Sequence, residues 1–587
     1  GVPAVSNGLC RLIVNGETVG IYYYEDYATL GVPPGWSPEV FSGRGTPKEW
    51  TRLSLAGVPP LARADLVRLR TEVDRNYRHL LLLDSTSPLS GREMEYRLRQ
   101  EAPRLDHWPV DERSVAAPAP ERAGLVFSAF AALGSNPSPQ YVLHDLALPT
   151  RLEPGVTVTW SSSDPEIIST DGQVHRPADR HPRAVTMSAH LTAGADSWTN
   201  ELVFRVMPYE RKLPALFLWA RDPLSRLQRV DCVALYYPEG TSNVPRRWLA
   251  AQDERSGVSL RGNSSLRQRK KPLGLRLPAP HGLWGTTNIC KINLVNPWRD
   301  PTLVRNRLCY SLFARFARPG HPRFGLPLEW VEVFVNGHYH GLLEAIPPVR
   351  EEWLGLEHYQ EGDPYPAVVY KAQRTAPSII EPRRLMRQTE PSRRHGSFPE
   401  PVVELQRFID EAPPDVFARE VDRWLDLDNL VDFQLLLDFS ENYNGWPFDF
   451  SIHDVLVRPS GPESRFFLVP FDFDTTWDSR PVGKYHSQVF ERLMTQYPGY
   501  RERLAARWRE LRAGPLADTA IAADLARYQE HLDGYISWDD ERYGQADQPQ
   551  AARMDELRRQ IGRRLSELDR RFGSAPAGGL PSEGPSP

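Results

Sequence analysis

At 587 residues, with 71 Lys and Arg against 75 Asp and Glu, the chain is long enough for several domains. It is too nearly charge-balanced to carry a global field that recruits nucleic acid or anionic lipid. Its 16 Trp and 22 Tyr exclude wholesale disorder, and no uninterrupted apolar run reaches the length of a membrane span.

The chain begins at Gly1 with neither a Met nor a signal-like segment, so it reads as processed or truncated and its N-terminus does not reveal a compartment. Residues 1–110 read as a short α/β region. Within it, the apolar run Leu12-Ile13-Val14 enters Asn15-Gly16, and a second strand starts from Gly20. Asn-Gly between apolar runs is the strongest short-range hairpin signal. The same N-G-x-x-x-G spacing recurs at Asn336-Gly337 and Gly341. Either a partial internal duplication or a coincidence of hairpin chemistry accounts for it. Four cysteines, Cys10, Cys232, Cys290 and Cys309, lie far apart without CxxC spacing. That disfavours a zinc site or a disulfide scaffold, and leaves buried free thiols or one long-range disulfide.

From about residue 111 the pattern turns to short strands: 125–127, 141–143, 156–160, 184–189 and 202–206, separated by turn chemistry such as Ser163-Asp164-Pro165 and Asp171-Gly172. The run Trp160-Ser161-Ser162-Ser163-Asp164-Pro165, followed by Gly172-Gln173-Val174, resembles the bacterial immunoglobulin-like domains of exported proteins. That resemblance implies a β-sandwich over 111–209 acting as a spacer or adhesion module without catalysis. Residues 210–572 then mix strands and helices. Two strand-like flanks surround a basic turn between Leu260 and Leu277, and an amphipathic helix is expected over 302–317. A nearly all-apolar, buried helix is expected over 429–439, a pair or trio of charged helices over 500–572, and a disordered tail over 573–587.

Near the end of this region, Phe466-Phe467-Leu468-Val469 reads as a buried strand that runs into Asp472 and Asp474. In an extended strand, residues i and i+2 share a face, so the two carboxylates would stand together and call for a compensating cation. Mg²⁺ is held in this manner, by one or two carboxylates and substrate phosphates. An acidic loop after a strand is the plainer reading of the same residues.

Ordered motifs surround this pair. Arg261-Gly262-Asn263-Ser264-Ser265 leads to Lys270-Lys271 and Leu275-Arg276-Leu277, then to Asp300-Pro301-Thr302-Leu303-Val304-Arg305-Asn306. The Asn336-Gly337 hairpin, Val369-Tyr370-Lys371-Ala372 and Asn442-Tyr443-Asn444-Gly445-Trp446 follow. Together these resemble the CotH-type (spore-coat protein H) protein kinase family over about residues 215–575. The resemblance implies an α+β multidomain chain in which an atypical, two-lobed, protein-kinase-like domain over 210–572 follows the Ig-like β-sandwich. Residues 1–110 would then be the remnant of a second CotH-like domain. It further implies ATP with Mg²⁺ or Mn²⁺ as cofactors, a protein substrate phosphorylated on Ser or Thr and, together with the Ig-like module, an exported, cell-surface or extracellular location; no nucleic-acid partner and no membrane span are expected from charge balance and apolar run length.

Phosphoryl transfer asks a protein mainly for positioning and charge neutralisation. Lys271, Arg261 and the Gly262-Asn263 turn offer donors for nucleotide phosphates, and Lys371 offers an ammonium in a strand-like context. For Lys270, Lys271, Arg267 and Arg269 the plainer alternative is a solvated basic turn. Asp472 matches the family's metal-binding position, with Asp474 as supporting ligand or structural cap. The chain departs from the family pattern in two places. Asn444 stands where an Asp base is expected, and an amide cannot accept a proton as a carboxylate does; Asp449 falls at the second-metal position and is the candidate to take over that role. Pro347 stands where a carboxylate is expected, with Glu344 three residues earlier. Both departures keep a pseudokinase, a binding or assembly module, in play beside the active kinase. A metal-dependent hydrolase or carbohydrate-active enzyme is the remaining alternative, but nothing in the chain nominates two carboxyls flanking a sugar cleft.

Overall fold

The computed structural model describes residues 132–151, 156–220, 224–249, 256–262, 264–283, 286–372, 386–442, 455–477, 487–543 and 548–573, together with the strand backbones of 9–14 and 17–23. The expected strand 125–127, the rest of the 1–110 region and the tail beyond 573 lie outside the described residues. The chain forms two compact units, residues 1–260 with 332–341, and residues 261–331 with 342–587. The architecture is mixed α+β.

In the first unit, β1 (Leu9–Val14) and β2 (Glu17–Tyr23) pair antiparallel from Leu9 opposite Tyr23 to Val14 opposite Glu17, as the Asn15-Gly16 signal predicts. The strands β3 (Val156–Ser162), β4 (Arg183–Ala193) and β5 (Asp196–Val206) form an antiparallel sheet in that order. Alternation along β3 and β4 turns Val156, Val158, Ala189 and Leu191 into one buried face. Trp160 packs beside that face and donates its indole N–H to the Pro149 carbonyl at 2.9 Å. The expected sandwich is reduced here. Among the described residues this module holds one three-stranded sheet, with isolated bridges such as Val142 to Val206 and Ile168 to Val174.

The chain continues through β6 (Ala215–Ala220), β7 (Cys232–Tyr237), β8 (Arg246–Leu249) and β9 (Gly257–Leu260). β6 is buried at every position, pairs antiparallel with β7, and runs parallel to residues 332–335. Burial on both faces suits its unbroken apolar sequence. Phe217 stacks on Phe334 at 4.3 Å between ring centroids, with Tyr141 edge-on to both. A fully buried ion pair, Arg205 to Glu332, lies in the same unit. Asn336 and Gly337 both have positive φ, +50° and +80°, the backbone that a two-residue type I′ hairpin requires.

In the second unit, β10 (Leu273–Leu283) and β11 (Thr286–Val295) form a long antiparallel hairpin, followed by helix α1 (Arg305–Arg315). The strands β12 (Glu329–Val335) and β13 (His338–Ile346) contribute their outer ends, and β13 pairs with β11 between Ile346 and Asn293. A separate antiparallel sheet has the order β15-β14-β16-β17, made of β14 (Val368–Ala372), β15 (Met386–Glu390), β16 (Val455–Arg458) and β17 (Phe467–Val469). Helices α2 (Glu400–Glu411), α3 (Pro414–Trp424) and α4 (Leu427–Ser440) lie between β15 and β16 in the chain. The expected all-buried helix is α4. Its Asp426 caps the Asn429 N–H at 3.0 Å, and its buried Asp432 is neutralised by Arg323 and Arg507, each at 2.6 Å. Among the described residues, the C-terminal stretch expected to form two or three helices forms four after α5 (Gln488–Gln496): α6 (Tyr500–Arg512), α7 (Asp518–Leu532), α8 (Ile536–Tyr543) and α9 (Gln550–Phe572). Cys232 and Cys309 are buried free thiols, and Cys290 is half-buried. Among the described residues, no helix is long and apolar enough to cross a membrane.

Candidate active site

β14 lies between β15 and β16, which places Lys371 opposite Arg387 on one side and Val455 on the other. The Lys371 ammonium sits 3.4 Å from the centroid of the Phe471 ring, a close cation–π contact. Its pKa is lowered to about 7, first by burial and then by the Arg261 guanidinium and Lys291, with Asp472 opposing. Burial likewise pulls Arg261 below the ordinary guanidinium range against the pull of Asp472 and Tyr310. These cations border a cavity of about 790 Å³ within the second unit. Its described lining carries eight Lys and Arg side chains and no Asp or Glu.

Asp472 is not on a strand. β17 ends at Val469, and Asp472 adopts a left-handed backbone at φ +64°. The expectation that Asp472 and Asp474 share one strand face is therefore corrected: a turn, not strand alternation, brings them close enough to interact. A non-glycine residue held in this region costs on the order of 1–3 kcal/mol and persists only where its surroundings fix it. Here α1 supplies the fixing. Tyr310 accepts the Asp472 N–H on its hydroxyl at 2.9 Å, and Asn306 accepts the Phe473 N–H on Oδ1 at 2.6 Å. The two lie four residues apart on one face of the helix. From the other side, the Asn442 amide donates to the Asp472 carbonyl at 3.1 Å.

Carboxylates gather behind Asp472. Glu344, 1% exposed on β13, accepts the Asn306 amide N–H on Oε2 at 2.8 Å, while its Oε1 has no hydrogen-bond partner among the described residues. Burial pushes Glu344 well above the usual carboxyl range, and Asp300, Asp474 and Asp472 add to the effect against the Asn306 hydrogen bond. Burial also raises Asp474, reinforced by Asp472 and Asp300 and opposed by Arg299 and Arg305. Asp300 itself is tied to local structure, since it accepts from the Thr302 and Arg305 N–H groups and so anchors the start of α1. A buried excess of negative charge with an orphaned carboxylate oxygen fits the demands of a hard divalent cation. Among the described residues, no three acidic, His or Cys side chains converge closely enough to hold a metal by themselves. Asp449, the expected further ligand, lies outside the described residues, as do Asn444 and Asn263.

Of the residues expected from sequence, the fold thus brings together Arg261, Lys371, Asp472 and Asp474. It does not bring Lys271 to the cavity wall. That ammonium donates to the Leu266 carbonyl at 2.7 Å, within its own loop. Lys270, for which a solvated turn was an option, is fully buried; it pairs with Asp539 at 2.6 Å and donates to the Leu342 carbonyl at 3.1 Å. Sequence reasoning quoted Asn306 within a motif but gave it no role, missed Tyr310 and Arg387, and treated Glu344 as displaced from the site it occupies. The signal available was the i, i+4 spacing of Asn306 and Tyr310 on the expected helix.

The family model described as CotH kinase protein matches residues 258–568, and that of an atrophied bacterial Ig domain matches residues 128–208. The chain is also similar to the inner spore coat protein H of Bacillus subtilis (strain 168), with 24% identity over 228 residues. The matched stretch is 38% of this chain and 58% of that relative, so the chain spans little more than half of the relative's length.

Proposed function

The chain belongs to the CotH kinase protein family, whose model matches more than half of it, and from that premise we propose an atypical protein kinase that moves a phosphoryl group from ATP to Ser or Thr hydroxyls of proteins. The observation that carries the proposal is the meeting of Lys371, Arg261 and Asp472 beside a cavity whose described lining carries eight Lys and Arg and no Asp or Glu. In this reading the cavity takes the triphosphate, and Arg261 and Lys371 offset its charge. Asp472 and Asp474 would hold Mg²⁺ or Mn²⁺, which when bound neutralises charge on the transferring phosphate. Asn306 and Tyr310 keep Asp472 in its left-handed backbone, so its carboxylate is positioned before any ligand arrives. Asp449 is proposed as the group that orients the acceptor hydroxyl in place of Asn444. The two flanking sets of elements, the β14–β17 sheet and the α4–α9 helices, are read as parts of a two-lobed kinase-like domain. A surface or coat location is proposed from the Ig-like module and the spore-coat relative.

The second reading, a pseudokinase that binds nucleotide or assembles partners, is favoured by one observation, the Asn at the base position. Incubation with labelled ATP and Mn²⁺ separates the two. Incorporation that is lost in Asp472→Ala supports transfer. Wild type that incorporates nothing, yet gains thermal stability with ATP, supports the pseudokinase. Full activity in Asp449→Ala would overturn the role given to that residue.

A further inference from the structure

We propose that the wall of the cavity formed by Arg387 and the turn 391–396 is an acceptor subsite, and that it selects a peptide whose target hydroxyl is flanked by anionic side chains, carboxylate or phosphate. The inference rests on the phosphotransferase reading and adds to it the chemistry of the substrate.

A triphosphate brings roughly four negative charges and a divalent cation returns two. The eight Lys and Arg side chains of the described lining exceed that several-fold. Some are already compensated, since Arg350 pairs with Glu390 at 3.1 Å and Lys371 is only partly protonated near neutrality. Even after these are set aside, together with Lys291 and with Arg261, on which Asp472 acts, the described lining keeps four arginines, Arg276, Arg387, Arg393 and Arg394, about twice the net charge of a metal-bound triphosphate. Clustered like charges in a partly enclosed space are unfavourable unless a ligand offsets them, so the surplus points to a second anionic ligand.

Lys371, with Arg261 and Asp472 near it, marks the side proposed for phosphates. Arg387 lies directly across the β14–β15 ladder from Lys371, and β15 runs on into the turn that carries Arg393 and Arg394. Ser392, exposed on the same turn, also lines the cavity. The basic wall therefore extends from the proposed transfer point along one strand and around one turn, a layout suited to a peptide that carries its hydroxyl inward and its flanking residues outward.

Gln388 is 7% exposed and spends both ends of its amide on this turn. Its nitrogen donates to the Pro391 carbonyl at 2.6 Å and to the Gly396 carbonyl at 3.1 Å, and its oxygen accepts the Phe398 N–H at 2.7 Å. The His395 N–H closes the turn on the Ser392 carbonyl at 2.8 Å. A surface loop with no task does not need a buried glutamine to fix its backbone. Two exposed arginines on a fixed backbone lose less freedom when they engage a carboxylate or phosphate bidentately.

The test uses the full chain and four serine peptides with Ala, Asp/Glu, phosphoserine or Lys/Arg flanks. KM and kcat are measured with labelled ATP and Mn²⁺, and peptide binding is measured by fluorescence anisotropy. Expected is a KM at least tenfold lower for an anionic than for the Ala peptide, with the Asp/Glu and phosphoserine arms showing which anion is preferred. Arg393→Glu/Arg394→Glu, whose altered side chains are exposed and leave the turn's hydrogen bonds intact, should erase the preference while ATP-dependent thermal stabilisation stays unchanged. A wild-type preference for Lys/Arg flanks, equal KM values for all peptides, or a double variant that loses ATP stabilisation and keeps its peptide preference each overturns the proposal. If no peptide is phosphorylated but anionic peptides still bind in an Arg393- and Arg394-dependent manner, the subsite stands and the kinase reading falls. If transfer occurs without anionic preference, the reverse holds.

Discussion

Asn306 joins the two halves of the candidate site, and its removal has a calculable consequence. Its amide donates to Glu344 at 2.8 Å and accepts from the Phe473 N–H at 2.6 Å, in a position only 2% exposed. Asn306→Ala leaves a buried N–H and a buried carboxyl oxygen without partners, and each orphaned group costs about 1–3 kcal/mol. The expected loss is therefore about 2–6 kcal/mol, read as a lower urea midpoint followed by Trp fluorescence. Asn306→Asp separates the two bonds. It keeps an acceptor for Phe473 but turns the donor facing Glu344 into another carboxylate, beside groups already pushed up by Asp300, Asp472 and Asp474. Raised carboxyls bind more protons in the folded than in the unfolded state, so stability falls as pH rises above the ordinary carboxyl range. The Asp variant should thus lie close to wild type at pH 5 and well below it at pH 8. A loss under about 0.5 kcal/mol in Asn306→Ala, or an Asp variant whose deficit does not depend on pH, would refute the account of how Asp472 is held.

Two further outcomes follow from the same geometry. Lys371 titrates near 7 in the free site; an anionic ligand favours its charged form, so binding of ATP should take up a proton and affinity should fall as pH rises from 7 to 9. Calorimetry in buffers of different ionisation enthalpy measures that proton, and Lys371→Met should abolish it. Lys270→Ala leaves Asp539 buried without its partner and should cost about 3–5 kcal/mol; Lys270→Met with Asp539→Asn, which keeps the acceptor for the Leu342 N–H at 2.7 Å, should recover most of that loss in a denaturant titration.

Local patterns carried much of the fold. The Asn-Gly hairpins, the strand around Lys371 and the buried helix α4 were legible because each depends on residues within a few positions of one another. Asp472 was misplaced because the i, i+2 rule holds only while the chain stays extended, and Asp is a residue type that enters the left-handed region without a flanking glycine to announce it. The adjacent Lys270 and Lys271 show a different limit. Their sequence context is shared, yet one is sealed against Asp539, 269 positions away, and the other remains with its own loop. Glu344 is more instructive. Motif alignment put the expected carboxylate at Pro347, but β13 ends at Ile346, and an offset of three along a strand points to the opposite face. The register of β13 against β11, with Glu344 opposite Val295, decides which residue reaches the site, and pairings of that range are not written in any local pattern.

The electrostatics of the site then argue for coupled ligands. Carboxylates are driven towards protonation on one side of Asp472, and ammonium and guanidinium groups towards lower pKa on the other. Among the described residues, burial outweighs the compensation that each group of like charge receives, although Asp472 interacts with both. A divalent cation would relieve only the acidic side and a free triphosphate only the basic side. Each ligand brought alone would also face the like-charged half of the site across Asp472, whereas a metal–nucleotide pair matches both halves at once. On the proposed function, Mg²⁺ or Mn²⁺ and ATP should therefore bind with positive coupling, each raising the affinity of the other by the same factor. Thermal stabilisation by both together should exceed the sum of the separate shifts, and strict additivity would mean that the acidic cluster and the basic cavity do not serve one ligand.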